Sequence, residues 1–220
     1  MTAPASTTTP ALTNRQLALG PIAAYAAVGE MEKLTVALNE GLDAGLAVGE
    51  IKEALVQLYA YAGFPRSLNA LTALMKVADA RRERGVRDAV GRDPGPVPGA
   101  AEALTVGTAN QTRLSGAPVR GPLFEFAPAI DQFLKAHLFG DIFARDNLDW
   151  TSRELVTVAI LSAMPGVESQ LGSHIRISMN VGLTVAQLGQ FADGLAARGA
   201  SDAADRARLA IQSHKRTAAN

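Results

Sequence analysis

Residues 148–183 read LDWTSRELVTVAILSAMPGVESQLGSHIRISMNVGL, and the reading of this stretch decides the fold. Thr151-Ser152-Arg153-Glu154 has the form of a capping box, with Thr at the N-cap and Glu three residues on. The mostly apolar run from Leu155 to Met164 that follows is compatible with a buried strand or a helix. The cap before it and the Pro165-Gly166 stop after it select the helix. A second helix runs to about Asn180, and Gly182 closes it. Thr184 and Gln187 form another capping box, which opens a helix to about Ala197. A short helix and a frayed tail over 201–220 are expected beyond it.

Upstream, Thr13 to about Arg84 is also helical in pattern. Ile51, Leu55, Leu58 and Tyr59 fall at i, i+4, i+7 and i+8, one face of a helix. Pro65 starts a new helix, since proline is tolerated in a first turn. Leu68, Leu71, Leu74, Met75 and Ala78 continue the stripe; Arg81 and Arg82 suit a helix C-terminus, with Gly85 as its cap. Residues 85–122 differ: twelve of the 38 are Gly or Pro, which predicts a long irregular connection. Helical pattern returns near Phe126, runs through Ile130, Phe133, Leu134 and His137-Leu138, and breaks at Gly140.

The two helical stretches resemble each other. Gly45-Leu46, Val48, Leu58 and Ala60 pair with Gly182-Leu183, Val185, Leu195 and Ala197 at an offset of 137 residues, and Thr13, Arg15, Leu17 and Ile22 pair with Thr151, Arg153, Leu155 and Ile160 at 138. The organisation expected is therefore all-α: a disordered tail over 1–12, a first helical repeat over 13–84, the connection over 85–122, and a second repeat over 123–200, each repeat a helical-hairpin module.

Composition agrees with packed helices: 48% of residues are hydrophobic and only 5% aromatic. Twenty-one basic and 21 acidic residues cancel, which gives no electrostatic reason to expect a nucleic-acid or anionic-membrane partner. There is no cysteine, which excludes thiolate catalysis, including thiol peroxidase chemistry, and Cys-ligated zinc. Met1 to Leu12 lacks the basic start and apolar run of a signal peptide, and no apolar stretch reaches the ~18 residues of a membrane span. A cytoplasmic protein acting on a small molecule is the expectation.

Three histidines are present. His214 falls in the expected tail, and His137 in Lys135-Ala136-His137-Leu138 suits a structural role. His174 lies mid-helix without a second ligand at i+3 or i+4, so no metal site is indicated. The segment Leu148 to Leu155 followed by His174-Ile175-Arg176-Ile177-Ser178-Met179-Asn180-Val181-Gly182 resembles the signature of carboxymuconolactone decarboxylases. Phe139-Gly140-Asp141-Ile142-Phe143 does so too, and Tyr59-Ala60-Tyr61-Ala62-Gly63-Phe64-Pro65-Arg66 resembles the family's segment after the corresponding helix of the first repeat.

The resemblance implies an all-α fold of the kind shared with alkylhydroperoxidase-like proteins, symmetric rings of modules, and so a homotrimer of six modules for a two-repeat chain. The all-round apolar character of Leu155–Leu161 is more than one hairpin can cover. The resemblance also implies a cofactor-independent lyase acting on a lactone or related carboxylic acid, with isomerisation or hydrolysis in the same pocket and a non-enzymatic binding or assembly role as alternatives. In it His174 is the acid–base residue, Glu154 its partner, and Arg176 or Arg66 the holder of a substrate carboxylate. Measured from the turn at Gly166, Glu154 and His174 stand roughly 18 and 12 Å along their helices at ~1.5 Å per residue. That gap is bridgeable, but their Cβ vectors lean apart, so direct contact, a bridging water, and a capping role for Glu154 alone all stay open.

This sequence departs from the family's patterns at two places. Val167-Glu168-Ser169-Gln170-Leu171 replaces the C-x-x-C of the peroxidase-type branch. Ala37 stands where the second repeat has His174, so the first repeat is expected to be silent, with Tyr61 or Arg66 completing a site from the other repeat. Gly107 to Val119 is dense in donors and acceptors; it reads either as turn-making or as a lid that brings Asn110, Gln111 or Thr112 to the His174 pocket.

Overall fold

The computed structural model describes residues 10–219, which are all-helical, with no strand among them. The helices are α1 (Asn14–Val28), α2 (Met31–Asp43), α3 (Val48–Glu83), α4 (Ala103–Ser115), α5 (Pro122–Phe126), α6 (Pro128–Phe133), a π-helix (Leu134–Ile142), α7 (Trp150–Ala163), α8 (Glu168–Asn180), α9 (Val185–Ala197) and α10 (Ser201–Ala219). None of them is long and apolar enough to cross a membrane.

α1 and α7 form the centre and pack along each other. Their sequences explain why both are central. Every residue of α1 from Ala18 to Ala27 is buried, as is every residue of α7 from Ser152 to Ala163. Small side chains let the backbones approach: a Cβ on Gly20 of α1 would stand 2.9 Å from the Phe191 ring of α9. Leu155, Val156 and Ile160 are fully buried, each contributing about 1.5–3 kcal/mol on transfer from water. The all-round apolar face of α7 is thus covered inside one chain, by α1, α3, α8 and α10, and needs no second chain.

The helix boundaries follow local chemistry. Thr13 closes a capping box with Gln16 at the start of α1, and Thr184 does so with Gln187 at α9. α3 is bent at Gly63, whose φ of 82° lies in the left-handed region that glycine tolerates, and Pro65 stands in the first turn after the bend. α1, α2 and α3 begin at residues 14, 31 and 48, and α7, α8 and α9 at 150, 168 and 185, so the same order of helices recurs at nearly the offset of the sequence pairing.

Five expectations are corrected. The residues 1–9 of the expected tail lie outside the described residues, but 10–12 are not tail-like: Leu12 is buried, its N–H donates to Gln190 Oε1 at 2.8 Å, and Pro10 O accepts from Gln187 Nε2 at 2.9 Å. The 85–122 connection is irregular only in part. Its Gly and Pro crowd into 91–99, whereas 100–115 holds Gly107 alone, and that half forms α4. The irregular half is pinned too: Ala89 O and Val90 O accept the otherwise unpaired N–H groups of Val48 and Gly49 at the start of α3.

α7 is capped by Asp149, whose carboxylate accepts from Ser152 N at 2.9 Å, not by Thr151. The helix does not break at Gly140. The π-helix runs through it because α4 crosses there, and a Cβ on Gly140 would stand 2.3 Å from Ala103 O. Finally, α10 is a 19-residue helix where a short one and a frayed tail were expected; it packs on α7, α8 and α9.

Candidate active site

Asp149 sets where α7 begins, and so which face Glu154 occupies. Glu154 is fully buried and turned toward α8, where its Oε2 stands 2.8 Å from His174 Nδ1. His174 is itself nearly buried, with 11% of its side chain exposed. Nε2 of His174 has no hydrogen-bond partner among the described residues, and neither has the buried Oε1 of Glu154. Contact, the first of the alternatives for Glu154, is what the packing produces; capping falls to Asp149.

The third group comes from the first half of the chain. Tyr61 on α3 presents its ring edge-on to the imidazole, with centroids 5.8 Å apart at 79°. Thr157 Oγ1, one turn along α7 from Glu154, lies 3.3 Å from the Tyr61 hydroxyl. Burial first, and then the neighbouring Glu154 carboxylate, push the Tyr61 phenol well above its ordinary range. It therefore stays protonated and available as a donor.

Behind Tyr61 a buried polar chain ties α3 to α7. Gln57 Nε2 donates to Thr157 Oγ1 at 2.8 Å and to Arg153 O at 2.9 Å, while Gln57 Oε1 accepts from Arg153 Nη1 at 3.2 Å. Arg153 is fully buried, and its other N–H groups reach Glu53 Oε2, Arg145 O and Leu148 O. Arg145 from the outer side grips both oxygens of Glu53, at 2.7 and 2.9 Å. Burial alone would raise the Glu53 carboxyl; hydrogen bonds from Arg145, Asn147 and Arg153 outweigh that and bring it down to about 2.

Sequence reading missed Glu53, Gln57, Arg153 and Thr157. A signal was present: Glu53, Gln57 and Tyr61 are i, i+4 and i+8 on α3, and Arg153 and Thr157 are i and i+4 on α7. Two polar columns inside apolar helices ask for each other, because buried polar groups need partners.

The other expected residues are placed elsewhere. Arg176 points off the opposite side of α8, where Nη2 donates to Ser173 Oγ and the side chain lines a cavity with Leu171, Leu209 and His214. Arg66 lays its guanidinium against Gly29, beyond the end of α1. Asn110 Nδ2 donates to Phe139 O at 2.8 Å, Thr112 Oγ1 donates to Thr108 O, and Gln111 faces a cavity between α4 and the π-helix. The segment read as a possible lid is a helix with a core of its own, built from Leu114, Leu138, Phe139, Ile142, Phe143 and Ile177.

An all-helical chain with a carboxylate–imidazole pair between two central helices, and a protonated phenol at its edge, is equipped for proton transfer. Residues 128–213 match the model of the carboxymuconolactone decarboxylase family. No curated protein matches it.

Proposed function

We propose that the chain is a lyase that removes CO₂ from a small carboxylated lactone or a related carboxylic acid, with His174 delivering the proton. The observation that carries this reading is the buried Glu154–His174 contact at 2.8 Å. Glu154 accepts a hydrogen bond from Nδ1–H and holds the ring, so that Nε2 is the nitrogen left for chemistry.

The step balances with the chain's own residues. The bond between the ring carbon and the carboxylate breaks, CO₂ departs, and the electron pair moves onto the carbonyl oxygen of the substrate. The Tyr61 hydroxyl, on a ring that stands edge-on to the imidazole, is the donor that holds that oxygen in this reading. Nε2–H of His174 then protonates the carbon, and the ring takes up a proton from solvent before the next turnover. The nearly closed surroundings favour departure of a carboxylate that water would otherwise stabilise.

We further propose two tandem modules per chain, the first catalytically silent because Ala37 stands at the His174 position, and a homotrimer as the working assembly in the cytoplasm. Supporting the module reading is the recurrence of helix starts at 14, 31 and 48 in 150, 168 and 185. A panel of carboxylated lactones assayed for CO₂ release tests the activity. Wild type should release CO₂ from at least one, and His174→Ala should reduce that at least a hundredfold, within the range for general acid–base residues. Unchanged turnover in His174→Ala sinks the proposal. Isomerised or hydrolysed product without CO₂ would leave the pocket and change the reaction.

A further inference from the structure

The segment Gly107 to Val119, rich in donors and acceptors, is not used at His174, and its structure shows another use. Gln111 on α4 is 4% exposed, yet its side-chain amide makes no hydrogen bond among the described residues. It lines a cavity of about 290 Å³ together with Thr108, Thr112, Arg120, Asp131 and Lys135, and with Phe124 and Glu125 of α5. Its amide faces the cavity with neither its donors nor its acceptor matched by protein groups, so a bound molecule can supply the partners.

The charges around it are balanced. Lys135 Nζ and Asp131 Oδ2 form an ion pair at 2.5 Å in one wall, both half-buried, and Asp131 Oδ1 is buried with no partner. Arg120 and Glu125 stand at the exposed rim. The cavity therefore offers two cationic groups, two carboxylates and one amide that can both donate and accept. Lys135 projects from the π-helix, a rare backbone form that recurs at functional sites. Neither His174 nor any residue of α7 or α8 lines this cavity.

We propose that this cavity is a second binding site, for a small zwitterion of the α-amino-acid class. Its carboxylate meets Lys135 and Arg120, its ammonium meets Asp131 and Glu125, and Gln111 bridges the two. A molecule with a single charge that draws Lys135 or Asp131 out of their ion pair leaves the other without its counter-charge, so a zwitterion, which meets both, is preferred over a simple acid or amine.

Calorimetric titration of the full chain with glycine, L-serine and L-asparagine tests this, with 3-hydroxypropionate and ethanolamine as serine analogues that lack the ammonium and the carboxylate. At least one amino acid should bind, both analogues should bind at least about tenfold more weakly than serine, and Gln111→Leu or Asp131→Asn should weaken binding by about tenfold, the loss of one charge-assisted hydrogen bond. Gln111→Glu, which keeps the shape and adds a carboxylate, should give the same loss if Gln111→Leu does not fold. The proposal is overturned if none of the three amino acids binds, if 3-hydroxypropionate binds as tightly as serine, or if binding survives the folded variants.

Discussion

Glu154 shows how one side chain can satisfy two local readings and be used for only one. Its position three residues after Thr151 fits a capping box, but Asp149 supplies the cap and Glu154 is left to reach His174 across the interface between α7 and α8. Replacing it with Gln keeps the shape and removes the charge that holds the ring. In the decarboxylation assay, Glu154→Gln should lower kcat by about a hundredfold with KM changed little, since proton transfer is impaired and not binding; an unchanged kcat would show that the contact is structural only.

Glu53 gives a prediction in pH. Its folded pKa, about 2, lies below its unfolded value of 4.5. A depressed carboxyl contributes stability that is present above the unfolded value and lost as pH falls toward the folded one. The shift corresponds to about 3 kcal/mol, so unfolding free energy measured by urea should drop between about pH 4.5 and pH 2. Glu53→Gln should flatten that part of the profile while being less stable at pH 7, because Arg153 stays buried without its counter-charge. His174 was singled out by its motif, which is local in sequence. Glu53 was not, because its meaning depends on an arginine 100 positions away.

Among the elements, α4 and the π-helix are the pair whose contact is least tolerant. α4 crosses so closely at Gly107 that a Cβ there would stand 1.7 Å from Lys135 O and 2.7 Å from Gly140 N. Backbone cannot give way as the end of a side chain does, so Gly107→Ala should cost about 3 kcal/mol by overpacking, read as a lower urea midpoint with an unchanged slope. A midpoint equal to wild type would mean that the two helices are not in contact. The expectation of a loop here shows what averaging conceals: glycine and proline counted over 38 residues described the first half of the segment and hid the helix in the second. The expected break at Gly140 failed for a related reason, since a glycine demanded by a crossing helix looks in sequence like one that ends a helix.

For the whole molecule, the central feature is that α3 of the first half brings Tyr61 and Gln57 against the Glu154–His174 contact and the polar chain of the second half. Thr157→Val removes the hydroxyl shared by Gln57 and Tyr61. It leaves a buried amide short of a partner and should cost about 1–3 kcal/mol, measurable by urea unfolding. The proposed homotrimer predicts sedimentation at about three times the 22.9 kDa of the chain; a monomer at assay concentration would refute it.

Helical period, caps and stops made the all-α class readable from the chain alone, as they did Thr13, Pro65, Thr184 and the closing glycines, because each depends on neighbours within a turn or two. The His174 motif and the absence of cysteine bounded the chemistry in the same way. The tertiary structure alone decided that Glu154 meets His174, that Tyr61 rather than Arg66 or Arg176 joins them, and that Gln111 faces a cavity of its own. Those outcomes depend on how helices far apart in sequence are rotated and how closely they approach, which is set by the interlocking of side chains in a shared core.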